Sequence, residues 1–225
     1  MAEQNFLCDV VEAGWLGENM RSLTFYAPEL LQTPIQNSDP ISCWFPDPAD
    51  GFDEFMRSYT VTEIDREKQT FVLHFLLHNN PGPAALWAKD AQVGDDLFVS
   101  YYESIGFRMP EPRPNGVLFI ADAAGVPFVN SAADRLSGVP ARAILLKHHE
   151  TDQRLPTAVE AVWVPPAELA YALSAQHWEG WHAEIVCEAS AAQSARKWLT
   201  SRGLAKGSIR LHAYWTMAGA MGSKR

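Results

Sequence analysis

Arg57, Ser58, Tyr59 and Thr60 follow one another at the start of a stretch whose alternation, Arg57 to Ile64, reads as a β-strand. Alternate strand residues share a face, so Arg57 and Tyr59 point together while Thr60 turns away. The set suits a flat aromatic ligand that carries phosphate: tyrosine to stack, arginine to pair with an anion, threonine to hydrogen-bond a ring edge. An ordinary half-buried strand with an exposed arginine has the same composition. The second cluster is His78-Asn-Asn-Pro-Gly-Pro-Ala-Ala-Leu-Trp-Ala88. A glycine-containing turn that opens a helix with small residues lets an anion approach free backbone N–H groups. With no charged side chain there, those donors and the helix dipole would hold a pyrophosphate. Pro-Gly-Pro is also common punctuation before a helix, and His78 also fits a core histidine.

The elements around these clusters fall into two kinds. Strands are expected at Arg21–Phe25, Ile41–Phe45, Arg57–Ile64, Thr70–Leu77 and Asp96–Tyr102, with one helix from Pro83 through Asp90. Many short strands with one helix predict an antiparallel barrel. Met109-Pro-Glu-Pro-Arg-Pro-Asn-Gly116 is the best linker, and beyond it the pattern alternates. Strands are expected at Val117–Ile120, Ala141–Leu146, Ala161–Val164, His182–Cys187 and Ser208–Tyr214, and helices at Pro127–Leu136, Pro166–Leu173 and Ala191–Leu199. That alternation predicts a parallel sheet with helices on both faces. The boundary is placed near Asn115, giving domains 1–115 and 116–225.

Charge divides in the same way. The chain of 225 residues carries a formal charge of −9; residues 1–115 hold 7 basic and 18 acidic side chains, and the remainder 11 and 9. Neither half offers the basic face of a nucleic-acid binder. The acidic loop Asp47 to Glu54 reads as solvated barrel surface. No stretch approaches the ~18 consecutive apolar residues of a membrane helix. The opening Met1-Ala-Glu-Gln-Asn shows no leader pattern. Cys8, Cys43 and Cys187 have neither disulfide nor metal spacing. The expectation is a reduced, cytoplasmic protein with no membrane insertion. Gly219-Ala-Met-Gly-Ser-Lys-Arg225 is assigned no role.

Taken together, the clusters resemble the siderophore-interacting protein family, the FAD-dependent ferric-siderophore reductases of the ferredoxin-reductase-like superfamily. The family's R-x-Y-T appears as Arg57-Ser-Tyr-Thr60, its apolar strand ending in histidine as Phe75-Leu-Leu-His78, and its G-P-A-x-x-W-A as Gly82-Pro-Ala-Ala-Leu-Trp-Ala88. The G-D pair is Gly94-Asp95, the D-x-T-A-L-P segment Asp122-Ala-Ala-Gly-Val-Pro127, the A-G-E-A turn Val186-Cys-Glu-Ala189, and the G-Y-W Ala213-Tyr-Trp215. The likeness runs from about Met20 to Gly219.

The resemblance implies a Greek-key flavin-binding barrel followed by an α/β nicotinamide-type domain, with FAD as cofactor. Tyr59 would pack on the isoalloxazine, Thr60 would bond near its redox-active nitrogen, and Ser58 would lie beside them. Arg57 would meet the phosphates. His74, which stands where the family usually has Asp, would line the ribityl and adenine side with Phe75, Leu77 and His78. Gly82, Ala84 and Ala85 would hold the pyrophosphate, with Trp87 behind. Asp122 and Ala124 would close the flavin side of the second domain. Gly125, Lys147, Glu188, Ala189, Tyr214 and Trp215 would serve the electron donor or substrate. Departures stand at Thr62, at Tyr101-Tyr-Glu-Ser104 in place of G-P-x-G, and at Ala124, Cys187 and Thr216, mostly on the donor side.

The implied activity is reduction of siderophore-bound Fe(III) to Fe(II), with electrons from NAD(P)H or reduced ferredoxin. The cofactor carries the chemistry and no catalytic side chain is needed. Arg108, Arg113, Lys147 and Arg210 are the candidate cations for an anionic ferric siderophore. His148 and His149, adjacent at a strand end, would face opposite ways and share no metal. The expected partners are a ferric siderophore and a ferredoxin, with the chain a monomer. Two alternatives stay open: a non-catalytic flavin- or siderophore-binding module, and a general NAD(P)H–flavin or ferredoxin oxidoreductase.

Overall fold

The computed structural model describes all residues except 1–3, 50–52, 80, 104, 218, 220, 221 and 225. Its contacts divide the chain into two units. One runs up to Phe107 and includes the returning segment 222–224; the other begins at Arg108. The passage therefore falls at Phe107/Arg108, ahead of the proline-rich stretch.

Six strands form the first unit: β1 (Gln4–Trp15), β2 (Met20–Tyr26), β3 (Pro40–Pro46), β4 (Glu54–Asp65), β5 (Thr70–Leu76) and β6 (Asp96–Tyr101). They close as an antiparallel barrel in the order β1-β2-β5-β4-β3-β6. β1, the longest together with β4, has no counterpart in the sequence reading. A register shift between Val10 and Glu12 breaks its alternation halfway, so the inward set Phe6, Cys8 and Val10 does not continue in phase. Along β5 the alternation is clean, with Phe71, Leu73 and Phe75 fully buried and Val72 and His74 half-exposed. Fully burying each such aromatic stabilises by about 1.5–3 kcal/mol, so this inward face sets the register of the barrel. Helix α1 (Pro83–Asp90) follows β5. It starts with proline in its first turn and buries Ala84, Ala85 and Ala88 against the barrel. The Gly94-Asp95 pair makes the turn into β6: Gly94 has φ +99°, and the Asp95 carbonyl accepts from Val10 N–H at 2.7 Å.

The second unit is a parallel sheet of β7 (Gly116–Asp122), β8 (Ala141–Leu146), β9 (Glu160–Val164), β10 (Trp181–Glu188) and β11 (Ile209–Trp215), in the order β11-β10-β7-β8-β9. β7 is buried along its whole length, as a central strand covered on both faces must be. Helix α2 (Val126–Ala133) covers one face, where the Phe119 and Phe128 rings meet edge-on at 6.4 Å. Helices α3 (Leu169–Ser174) and α4 (Ala189–Ser201) cover the other with Leu173, Ala192, Ala195 and Leu199. The expected helix from Pro166 divides into a 3-10 turn, Pro166–Glu168, and the short α3. His148 and His149 lie beyond β8 rather than on it. Both backbone N–H groups donate to one Asp152 carboxylate oxygen at 2.9 Å.

Candidate functional site

In the barrel, the geometry centres on β4. Its register with β3 runs unbroken from Glu54 to Thr60, whereas β5 pairs only from Val61 onward. Val61 exchanges both backbone bonds with Ser38 and Asp39 on the β3 side, and Met56 N–H points to the other side, donating to Ser223 O at 2.8 Å. Successive residues in an antiparallel ladder direct their backbone groups to opposite edges. The backbone of Ser58 therefore faces the edge beyond the last pairing with β5.

Tyr59 stands on the opposite face from Thr60, with its ring 4.4 Å from that of Phe75 and 5.9 Å from that of Phe45. Trp87 of α1 closes the cluster, 5.6 Å from Phe45 and 6.3 Å from Phe75. Burial pushes the Tyr59 hydroxyl well above the usual tyrosine range, with the Cys43 thiol adding to it and Arg57 opposing, so Tyr59 is a neutral aromatic plate. Arg57 lies over Phe55 at 5.8 Å and donates to Met56 O at 2.7 Å.

One step past the Val61–Leu73 pair, the register sets His74 level with Thr60. Its Nδ1 is buried and has no partner among the described residues, and burial lowers its pKa. Phe75 has its side chain wholly inside the barrel core. It supports Tyr59 and does not line a surface with His74, because adjacent strand residues face opposite ways. Leu77 packs against the core, whereas His78 is exposed rather than a core histidine.

Helix α1 completes this side. Gly82 is its N-cap, no side chain caps the helix, and its first turn has no acidic residue. A Cβ built on Gly82 meets nothing within 4 Å. Uncapped N–H groups behind a glycine with open space in front make an anion cradle. This cradle, the uncovered β4 edge and the unsatisfied His74 nitrogen together fit a phosphate-bearing, hydrogen-bonding aromatic cofactor.

The second unit is built differently at the corresponding place, the carboxyl end of its sheet. Its strand order reverses between β7 and β10, the usual position of a ligand crevice. Here Asp122, at the end of β7, fills that position. It is almost fully buried. One carboxylate oxygen accepts from Ala124 N–H at 3.0 Å and Gly125 N–H at 3.3 Å; the other accepts from Glu188 N–H at 3.0 Å and the Trp215 indole at 2.7 Å. Burial raises its pKa, and the Trp215 hydrogen bond, nearby His148 and the amides pull the other way. Gly125 is required by close approach, since a Cβ there would sit 2.2 Å from Val186 O.

Glu188, at the end of β10, caps α4 by accepting from Ser190 N–H at 2.7 Å and Ala191 N–H at 3.0 Å. Burial opposes its charge, but the Ser190 hydroxyl and the capping amides outweigh this and lower its pKa. Ala189 is the first residue of α4. Trp215 also meets His148 edge-on at 5.3 Å, and Tyr214 precedes it on β11.

The sequence-derived residues therefore form two groups. Arg57, Ser58, Tyr59, Thr60 and His74 gather around the open β4 edge, and Gly82, Ala84, Ala85 and Trp87 make up the exposed start and packed face of α1. Asp122, Ala124, Gly125, Glu188, Ala189, Tyr214 and Trp215 gather at the carboxyl end of the second sheet. There the Asp122 and Glu188 carboxylates are spent on backbone and indole donors instead of facing a ligand. The candidate cations are partly committed: Lys147 pairs with Glu150 at 3.0 Å, Arg210 is 4.0 Å from Glu184, and Arg113 donates to the Leu136 and Ser137 carbonyls. Of the departures, Thr62 donates to Val72 O at 3.1 Å, Tyr101 and Cys187 are buried, Thr216 bridges to Gly219, and Ser104 lies outside the described residues. Lys224 was not singled out by sequence; no motif marks it, and its partners Asp47 and Asp53 lie far away along the chain.

A closed six-stranded barrel with an uncapped helix, followed by a parallel five-stranded sheet, is the architecture of ferredoxin-reductase-like flavoproteins. Comparison with known proteins agrees. Residues 32–101 match the siderophore-interacting FAD-binding domain and residues 114–218 the siderophore-interacting protein model. The chain belongs to the siderophore-interacting protein family, and its cofactor is FAD. It is 34% identical over 228 residues to the mycobactin import ATP-binding/permease protein IrtA of Mycolicibacterium smegmatis, covering 96% of this chain and 26% of that protein. The chain thus spans about a quarter of the length of the curated relatives it matches. Its fold is similar to the siderophore-interacting protein from Acinetobacter baumannii, with a TM-score of 0.81, 19% identity, and coverage of 98% of this chain and 93% of that one. It is also similar to the ferredoxin reductase of carbazole 1,9a-dioxygenase, with a TM-score of 0.72, 12% identity, and coverage of 95% and 68%. Among the described residues no helix is long and apolar enough to cross a membrane.

Proposed function

We propose that this chain is an FAD-dependent ferric-siderophore reductase. The observation that carries the proposal is the uncapped, unobstructed start of α1 in a barrel whose β4 runs on past its last pairing with β5 at Val61, within a chain of siderophore-interacting family. When bound, FAD supplies the redox chemistry that moves electrons from a donor to siderophore-held Fe(III). The residues of the chain do the holding. Ser58 offers backbone groups to the ring edge beside Thr60, Tyr59 offers an aromatic plate, and Arg57 a cation. Gly82, Ala84 and Ala85 offer backbone N–H groups to the pyrophosphate, Pro83 having none. In this reading the barrel unit, up to Phe107 with the returning segment 222–224, serves the flavin, and the unit that begins at Arg108 serves the donor and the ferric siderophore. Lys147 and Arg210 lie nearest to an anionic chelate's requirements, and the protein works as a cytoplasmic monomer.

For the donor, the Glu188 cap on α4 favours reduced ferredoxin over NAD(P)H, whose pyrophosphate would meet that carboxylate instead of free amides at this helix start. The test is anaerobic mixing of the FAD-loaded protein with NADH, NADPH or reduced ferredoxin, then with a ferric siderophore and an Fe(II) chelator. Appearance of the Fe(II) chelate with one donor is the expected result. Flavin bleaching without Fe(II) would make the chain a general flavin or ferredoxin oxidoreductase, and no bleaching by any donor a binding module.

A further inference from the structure

The edge of β4 that β5 leaves uncovered is bounded at its other end by a segment remote in sequence. Met56 N–H donates to Ser223 O at 2.8 Å, and Phe55 and Lys224 form an antiparallel bridge. The Lys224 ammonium lies 2.6 Å from an Asp53 oxygen, 3.6 Å from an Asp47 oxygen and 5.1 Å from the centre of the Phe55 ring. Gly222 is fitted to this place for two independent reasons. Its φ is +129°, which disfavours any side chain, and a Cβ would fall 2.2 Å from Met56 O and 2.6 Å from Arg57 Nη1. The segment thus runs against the carbonyl that Arg57 itself bonds.

We propose that Gly222–Lys224 is a strap that positions Arg57 for the cofactor's phosphates. It does so by pairing with the β4 edge at Phe55 and Met56 and by anchoring Lys224 on the Asp47/Asp53 loop. The strap continues the ladder where β5 stops, with Ser58 between the two. An edge ordered before the ligand arrives spares part of the ordering cost of binding. Gly222 and Lys224 are positioning residues. Their effect passes through Arg57 and so through phosphate, and it is absent for a flavin without phosphate. The inference rests on the cofactor placement proposed above.

The test titrates the apoprotein with FAD and with riboflavin, following flavin fluorescence, in Gly222→Val, Lys224→Met, Lys224→Arg and Arg57→Ala variants. Gly222→Val and Lys224→Met are expected to weaken FAD binding by about fivefold, the order for losing one or two pre-ordered side chains. Riboflavin affinity should stay unchanged. Lys224→Arg should retain wild-type affinity, and Gly222→Val combined with Arg57→Ala should be no weaker than Arg57→Ala alone. Unchanged or tighter FAD binding in the strap variants, or an equal loss for riboflavin, overturns the strap while Arg57→Ala still weakens FAD. If Arg57→Ala leaves FAD affinity unchanged, the cofactor placement fails first and the strap with it.

Discussion

The two units treat the start of a helix in opposite ways. In the barrel, α1 begins at Gly82 with no side-chain cap and open space before it. In the α/β unit, the first amides of α4 are taken by Glu188, while Asp122 takes those of Ala124 and Gly125 in the turn that leads into α2. The starts of α1 and α4 carry the same partial positive charge, so what differs is whether the chain has already supplied the anion. Where it has, the carboxylate acts as a structural cap. Where it has not, an external phosphate finds its donors ready. The same secondary structure thus stays open for the proposed ligand in one unit and is a joint in the other.

The contrast can be broken most directly by giving α1 a carboxylate of its own. Gly82→Asp is expected to weaken FAD binding by about a hundredfold, ~2.7 kcal/mol, because it places a like charge against the pyrophosphate; near-wild-type retention of FAD through gel filtration would contradict it. Next in size, Asp122→Asn should cost the second unit about 2–3 kcal/mol, since an amide cannot accept on both sides where the carboxylate accepts four hydrogen bonds. Chemical denaturation should show that loss with little change in the FAD titration. Tyr59→Ala should weaken FAD binding about tenfold through lost stacking area, and unchanged FAD content would count against the pose. Glu188→Gln should cost about 1 kcal/mol as a weakened helix cap, again with FAD affinity unmoved.

The smallest effect is in pH. Burial lowers the His74 pKa below its ordinary 6.5, so the unfolded chain takes up a proton before the folded one does. The contribution is fully present above 6.5 and is lost as pH falls from there towards the folded value. His74→Gln should flatten that part of the stability–pH curve, measured by thermal unfolding of the apoprotein.

Most of the fold is legible in the sequence because its elements carry local signals: the inward alternation of β5, the unbroken apolar run of β7, and Pro83 in the first turn of α1. β1 is not, because a bulge between Val10 and Glu12 shifts its phase. The residues proposed for the flavin around Arg57 and Gly82 stand out in the sequence by motif and spacing. The side-chain commitments of Asp122 and Glu188 could not, since a motif names a residue type and not which donors reach it. Phe75 shows the opposite error: its place beside His74 in sequence suggests a shared surface, and strand alternation puts it in the core. The acidic loop around Asp47 and Asp53 looks like solvated surface until the chain returns with Lys224.

Asp122 also has a consequence for the order in which the second unit can form and open. Its four hydrogen-bond donors come from positions 124, 125, 188 and 215, so the bond set spans nearly the whole unit and is complete only after the last strand has docked. Contacts so distant in sequence repay their closure entropy late. Release of β11 would strip Asp122 of the Trp215 indole and leave a buried carboxylate short of a partner, loosening the starts of α2 and α4 together. The amide protons of Ala124 and Glu188 therefore report on an event at Trp215: in native-state hydrogen exchange they should open with β11 as one cooperative unit.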